Sequence, residues 1–125
     1  MRLLIDTHIF LWAMSGDKQL TKTAEAIMLS AEAVFVSAAS IWEIAIKSGI
    51  GKLDADVSEL VARMKDAGFR ELPVTAAHAE AVRNLPDIHR DPFDRMLVAQ
   101  AITEPLRLLT DDDTVGRYSD LVIAL

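Results

Sequence analysis

Residues 3–12, Leu-Leu-Ile-Asp-Thr-His-Ile-Phe-Leu-Trp, constrain this chain more than any other stretch. Three consecutive aliphatic residues, Leu3 to Ile5, leave no polar face. The strand they form must therefore be covered on both sides, as strands of parallel sheets are. From Thr7 to Met14 the apolar spacing becomes that of a helix packing back on the strand. Asp6 falls at the junction, where a central strand ends and a helix begins. In open α/β sheets that edge is where ligands bind. Two roles are open to a carboxylate there: a cap for the helix, or a ligand for a metal or a phosphate-transfer reaction.

The remaining segments repeat the alternation of strand and helix. Ser15-Gly16-Asp17 reads as a turn, and Thr21 or Thr23 caps a helix through Leu29. Val34 to Ser37, β-branched and aromatic, is a second strand. Ser40 is placed to cap the next helix, whose face carries Ile41, Trp42, Ile44, Ala45 and Ile46 before Gly49 and Gly51 end it. Asp56 and Glu59 fit a capping box for a helix running to about Ala67, with Gly68 as its stop. Arg70 to Val74 reads as a third strand, and Pro73 assigns it to a sheet edge. Thr75 caps a helix through Val82, and Leu85 to Arg90 is a loop. Asp91-Pro92 opens another helix, with the acid as cap and proline at the first helical position. Leu106 to Thr110 and Leu121 to Leu125 complete the strands. The expected fold is a three-layer α/β/α domain with a central parallel sheet of four to five strands. A chain of 125 residues is read as a single domain, 1–125.

Composition narrows the function classes. The chain has no cysteine, so disulfides and thiolate chemistry are excluded. No apolar run reaches the roughly 18–20 residues of a membrane span, and Asp6 interrupts the N-terminal run where a signal peptide would be uniformly apolar. A cytoplasmic protein is the expectation. The apolar share of 51% is high for so short a chain and implies a surface covered by a partner or a second copy. A net charge of −6 argues against a broad electrostatic grip on nucleic acid. Acids gathered around bound cations would lose much of that excess locally, so a phosphodiester substrate stays open.

Four acids stand where the pattern gives them chemistry to do. Asp6 ends the first strand, and Glu43 interrupts the apolar run 41–46. Asp94 lies in the first turn of its helix, and Asp112 follows the fourth strand. Each has a structural alternative: a helix cap, a solvated helix stripe, a favourable charge at a helix N-terminus, a turn former. If the first and fourth strands are neighbours, however, all four converge on one cleft. Carboxylates in one cleft repel, and one of them would be forced to protonate unless a cation joined them. Mg²⁺ or Mn²⁺ prefers oxygen ligands and suits such a set.

Four segments carry a family resemblance: Leu4-Ile5-Asp6-Thr7-His8, Val36-Ser37-Ala38-Ala39-Ser40-Ile41-Trp42-Glu43-Ile44-Ala45-Ile46-Lys47, Arg90-Asp91-Pro92-Phe93-Asp94-Arg95-Met96-Leu97, and Leu108-Leu109-Thr110-Asp111-Asp112. In this order and over nearly the whole chain they resemble PIN-domain ribonucleases, specifically the VapC toxins of toxin–antitoxin systems. The resemblance implies an endoribonuclease dependent on Mg²⁺ or Mn²⁺, usually a homodimer, held inactive by an antitoxin. It implies that Asp6, Glu43, Asp94 and Asp112 are the acidic metal-binding residues, with Thr7 and Thr110 lining their pocket. The departure from the family pattern is a run of three aspartates, 111–113, where one is common.

Other residues invite roles. His8 and Arg95 flank matched acids and are candidates for RNA contact. His8, His78 and His89 show no zinc-type spacing and are not expected to be metal ligands. Trp12 and Trp42 lie among aliphatics at helical spacing, which favours packing over base stacking. Period-two alternation from Thr110 sends Asp111 to the far face and Asp112 to the cleft, and leaves Asp113 to cap a short helical turn. Two other functions compete: a catalytically inactive PIN module that only binds a protein, and another acidic-cleft phosphoesterase. The second lacks the Asp-x-Asp start of the common phosphatases, because the residue two after Asp6 is His8.

Overall fold

The computed structural model describes residues 1–125. Five strands, β1 (Arg2–Ile5), β2 (Ala33–Ser37), β3 (Phe69–Leu72), β4 (Arg107–Thr110) and β5 (Val122–Ala124), form one sheet in the order β3-β2-β1-β4-β5. All pairings are parallel. Seven helices alternate with the strands: α1 (Thr7–Ser15), α2 (Lys22–Ser30), α3 (Ala38–Gly49), α4 (Val57–Met64), α5 (Ala76–Ala81), α6 (Pro92–Thr103) and α7 (Asp113–Gly116). None of them is long and apolar enough to cross a membrane.

β1 is the centre of the sheet, and its sequence explains why. Leu3, Leu4 and Ile5 are all fully buried, and alternate side chains enter opposite layers. Leu3 and Ile5 pack with Ile9, Phe10, Val36 and Ile44 on one side. Leu4 packs with Leu97, Val98, Leu108 and Val115 on the other. A strand with a polar face could not occupy this position. The result is the three-layer α/β/α arrangement expected from the alternation.

The caps differ in two places from the sequence expectation. Thr21, Asp56, Thr75 and Asp91 cap their helices as read. α3, however, starts three residues early: Ser37, the last residue of β2, accepts the Ala39 amide and is the cap, whereas Ser40 is inside the helix and buried. Likewise Asp112, rather than Asp113, caps α7 by accepting the Thr114 amide. In both cases a run of residues with equal capping ability leaves the choice to the direction in which the preceding strand delivers the chain. β3 ends at Leu72 on the sheet edge, just before Pro73.

Candidate active site

The neighbouring positions of β1 and β4 bring their C-terminal ends side by side, and Asp6 and Thr110 meet there. The Thr110 hydroxyl donates to Asp6 Oδ2 at 2.6 Å. Asp6 Oδ1 accepts the Ile9 amide at 2.9 Å, capping α1. Asp6 therefore caps α1 through Oδ1 while Thr110 orients Oδ2. Burial holds its pKa above the ordinary carboxylate range, against the opposing influence of these two donors and of His8.

Glu43 approaches from α3. It is 5% exposed, so the apolar run around it is not a solvated stripe. Thr7 donates to Glu43 Oε1 at 2.7 Å and lies 3.0 Å from Ser40 Oγ. Lys47, one turn further along α3, donates to Glu43 Oε2 at 2.6 Å. That bond raises the lysine pKa, so its charge is held firmly beside the acids.

Asp94 enters from the first turn of α6. Burial raises its pKa to about 7, reinforced by the negative charges of Asp91, Asp6 and Glu43 and opposed by His89. Burial is thus the larger influence, and the neighbouring carboxylates add to it. Asp112 completes the set from the turn after β4.

The three aspartates after Thr110 do not follow strand alternation. β4 ends at Thr110, and the Thr110 hydroxyl accepts the Asp112 amide at 3.1 Å. The chain turns there, and both Asp111 and Asp112 face the acids. One ligand atom each from Asp6, His8 and Asp111 lie within 4.8 Å of one another, and so do those from His89, Asp94 and Asp112. The expectation that Asp111 points away is thus corrected: alternation requires a continuous strand, and the chain bends at Asp111 directly after β4.

His89 is the site residue that sequence reasoning missed. Its Nε2 lies 3.5 Å from both Asp94 Oδ2 and Asp112 Oδ2. A search for metal-type spacing passes over it, because its partners come from the next helix and from a distant turn. The available signal was its position in the loop leading into Asp91-Pro92. Arg95, a candidate RNA contact, spends its guanidinium on the protein: it donates to the carbonyls of Pro86, His89 and Val82 and to the Tyr118 hydroxyl. His8 is exposed beside the acids and stacks on Trp12. Trp42 is 63% exposed and meets Phe93 edge-on at 5.2 Å.

The carboxylates that come close enough to share a hard divalent cation are Asp6 with Asp111 and Asp94 with Asp112. Glu43 stands outside both groups, its two oxygens engaged by Thr7 and Lys47.

Comparison with solved structures extends this picture to relatives of known context. VapBC2 from Rickettsia felis, solved bound to a DNA fragment from its promoter, aligns with a TM-score of 0.71 at 14% identity, over 100% of this chain and 98% of that one. FitAcB from Neisseria gonorrhoeae aligns with a TM-score of 0.69 at 20% identity, over 98% and 96%. VapC20 from Mycobacterium tuberculosis, described as a sarcin-ricin loop cleaving toxin, aligns with a TM-score of 0.62 at 17% identity, over 94% and 97%. Identities this low speak to the fold. Comparison with curated proteins gave no match. The profile of one family, the PIN domain, matches residues 3–121. Because that match spans nearly the whole chain, including Asp6, Glu43, Asp94 and Asp112, the chain belongs to the PIN domain family.

Proposed function

We propose that residues 1–125 form a single PIN domain acting as a metal-dependent endoribonuclease toxin, with RNA as substrate and an antitoxin as its inhibitor. The proposed metal-binding acids are Asp6, Glu43, Asp94 and Asp112. The observation that carries the reading is the gathering of acids at the ends of β1 and β4 and the start of α6, where oxygens of Asp6 and Asp111, and of Asp94 and Asp112, lie within 4.8 Å of one another. Burial, with the charges of Asp91, Asp6 and Glu43, raises the Asp94 pKa there to about 7. A protein with no use for a cation gains nothing from that repulsion. When bound, Mg²⁺ or Mn²⁺ supplies charge neutralisation and Lewis acidity at a phosphodiester. The chain's own residues supply preorganisation. Thr110 and the Ile9 amide fix Asp6, and Thr7 and Lys47 fix the two oxygens of Glu43.

The toxin and antitoxin roles rest on the company this fold keeps among solved structures, which includes a toxin–antitoxin complex from Klebsiella pneumoniae with a TM-score of 0.68 at 18% identity. Two grooves offer surface for a second copy and an antitoxin segment. One, of about 630 Å³, is mainly apolar, lined by Ala38, Trp42, Val74, Val82, Phe93 and Met96. The other, of about 470 Å³, is mixed, with Trp12, Leu53 and Leu60 beside Asp17, Glu59 and Arg63.

The test is cleavage of a mixed RNA substrate with Mg²⁺ or Mn²⁺, with and without chelator. Cleavage should need the ion, and Asp6→Asn and Glu43→Gln should each abolish it with the fold intact by circular dichroism. Cleavage that survives chelator in Asp6→Asn would overturn the reading. A parent chain that cuts no RNA under any of these conditions would favour the protein-binding module instead.

A further inference from the structure

The loop that carries His89 is held with more care than a connection requires. The Tyr118 hydroxyl accepts the His89 amide at 2.7 Å and donates to the His89 carbonyl at 3.1 Å, so one phenol satisfies both main-chain groups. Arg95 donates to Tyr118 Oη at 3.1 Å and bonds the Pro86 carbonyl in the same loop at 2.9 Å. The ring is fixed as well. Asp91 donates its amide to His89 Nδ1 at 2.9 Å, which makes Nδ1 the acceptor nitrogen and leaves the ring proton on Nε2. His89 Nε2 lies 3.5 Å from both Asp94 Oδ2 and Asp112 Oδ2, a distance of charge–dipole attraction rather than of a formed hydrogen bond.

We propose that His89 is a positioning residue whose Nε2–H holds the Asp94 and Asp112 carboxylates, borne on different elements, in register for a divalent cation. The inference rests on the reading of those two acids as metal ligands. It gives His89 a role distinct from that of a ligand. In the tautomer that the Asp91 amide enforces, Nε2 carries a proton and has no lone pair for a metal. The positive edge of a ring N–H facing two carboxylates opposes their repulsion before any ion arrives, and it favours the oxygen of each that lies nearest to it. Donors of this kind behind metal ligands are typically worth about 10- to 100-fold in metal affinity.

Two substitutions separate the ring's two tasks. His89→Asn places an amide oxygen near the Nδ1 position and keeps an acceptor for the Asp91 amide, but it cannot reach the carboxylates. His89→Gln extends an amide NH₂ towards the Nε2 position and keeps the donor, while giving up the loop acceptor. Mn²⁺ affinity is measured for the parent chain and both variants from the signal of free Mn²⁺ in electron paramagnetic resonance, with circular dichroism and melting temperature in chelator as the check on folding. His89→Asn should bind Mn²⁺ about tenfold or more weakly, and His89→Gln should stay within a few-fold of the parent. The inference is overturned if folded His89→Asn binds like the parent, or if His89→Gln is the weaker variant, which would make the ring only a loop brace. It is also overturned if bound Mn²⁺ shows nitrogen coupling that disappears in His89→Asn, which would make His89 a ligand. A parent chain that binds no Mn²⁺ removes the metal-site reading itself, and this inference with it.

Discussion

Thr7 and Thr110 play matching parts on two different carboxylates: each donates its hydroxyl proton to a buried acid, Thr7 to Glu43 and Thr110 to Asp6. A valine has the shape of threonine without the donor, so Thr110→Val leaves Asp6 Oδ2 desolvated and unoriented. Cleavage by Thr110→Val at saturating Mn²⁺ should fall about tenfold, and Thr110→Ser should restore most of it. Equal rates for parent and Thr110→Val would mean that the cap bond to Ile9 alone positions Asp6. At this scale the sequence was informative wherever function and chain position coincide. Asp6 is marked by the strand-to-helix junction, and Glu43 by its intrusion into an apolar run. Arg95 and His89 were harder to read because a side chain's destination depends on which loop folds over it. Nothing local distinguishes an arginine that binds four partners within the protein from one that faces solvent.

The elements were legible where apolar patterning sets them, and less so where several polar residues compete for one turn. β1 declares itself through three consecutive buried aliphatics, and α6 through Asp91-Pro92. Ser37 and Ser40 flank two alanines, and Asp111 to Asp113 are three of a kind, so the direction of the incoming strand decides which one caps. That decision has a measurable consequence at α7. Asparagine caps a helix about as well as aspartate, so Asp112→Asn should abolish or strongly reduce cleavage with little loss of stability. Asp112→Ala should lose the same activity and about 1 kcal/mol in addition. Asp113→Ala should change neither greatly. These outcomes are read from urea unfolding and from cleavage rates, and a stability loss in Asp113→Ala as large as that in Asp112→Ala would put the cap at Asp113. The turn after β4 also brings Asp111 towards Asp6 and His8, so Asp111→Asn should weaken cleavage moderately, which strand alternation would not predict.

At the scale of the whole molecule, the crowded acids make stability depend on pH and on metal. Asp94 titrates near 7 in the folded chain, against 3.8 for an unperturbed aspartate. Between about pH 4 and pH 7 the folded state keeps a proton that the unfolded chain has already released. Stability without metal therefore falls as pH rises through that window. In chelator the melting temperature should be higher at pH 5 than at pH 8, and Asp94→Asn should flatten the difference. Adding Mg²⁺ at pH 8 should stabilise the parent chain more than Asp94→Asn, by mass action on the folded state. Equal responses would mean that Asp94 merely favours its helix N-terminus. The two grooves belong to the same scale. A homodimer is expected at micromolar concentration by light scattering, and a strict monomer would count against it. The order of strands in the sheet has one more consequence, for biosynthesis. β1 leaves the ribosome before the other strands of the sheet, yet one of its two neighbours, β4, and the hydroxyl that orients Asp6 follow about a hundred residues behind it, the hydroxyl 104 residues after Asp6. A nascent chain stalled before residue 107 would already carry Asp6, Glu43 and Asp94, but without β4 to close the cleft around them. The site is assembled only after the ribosome has released β4.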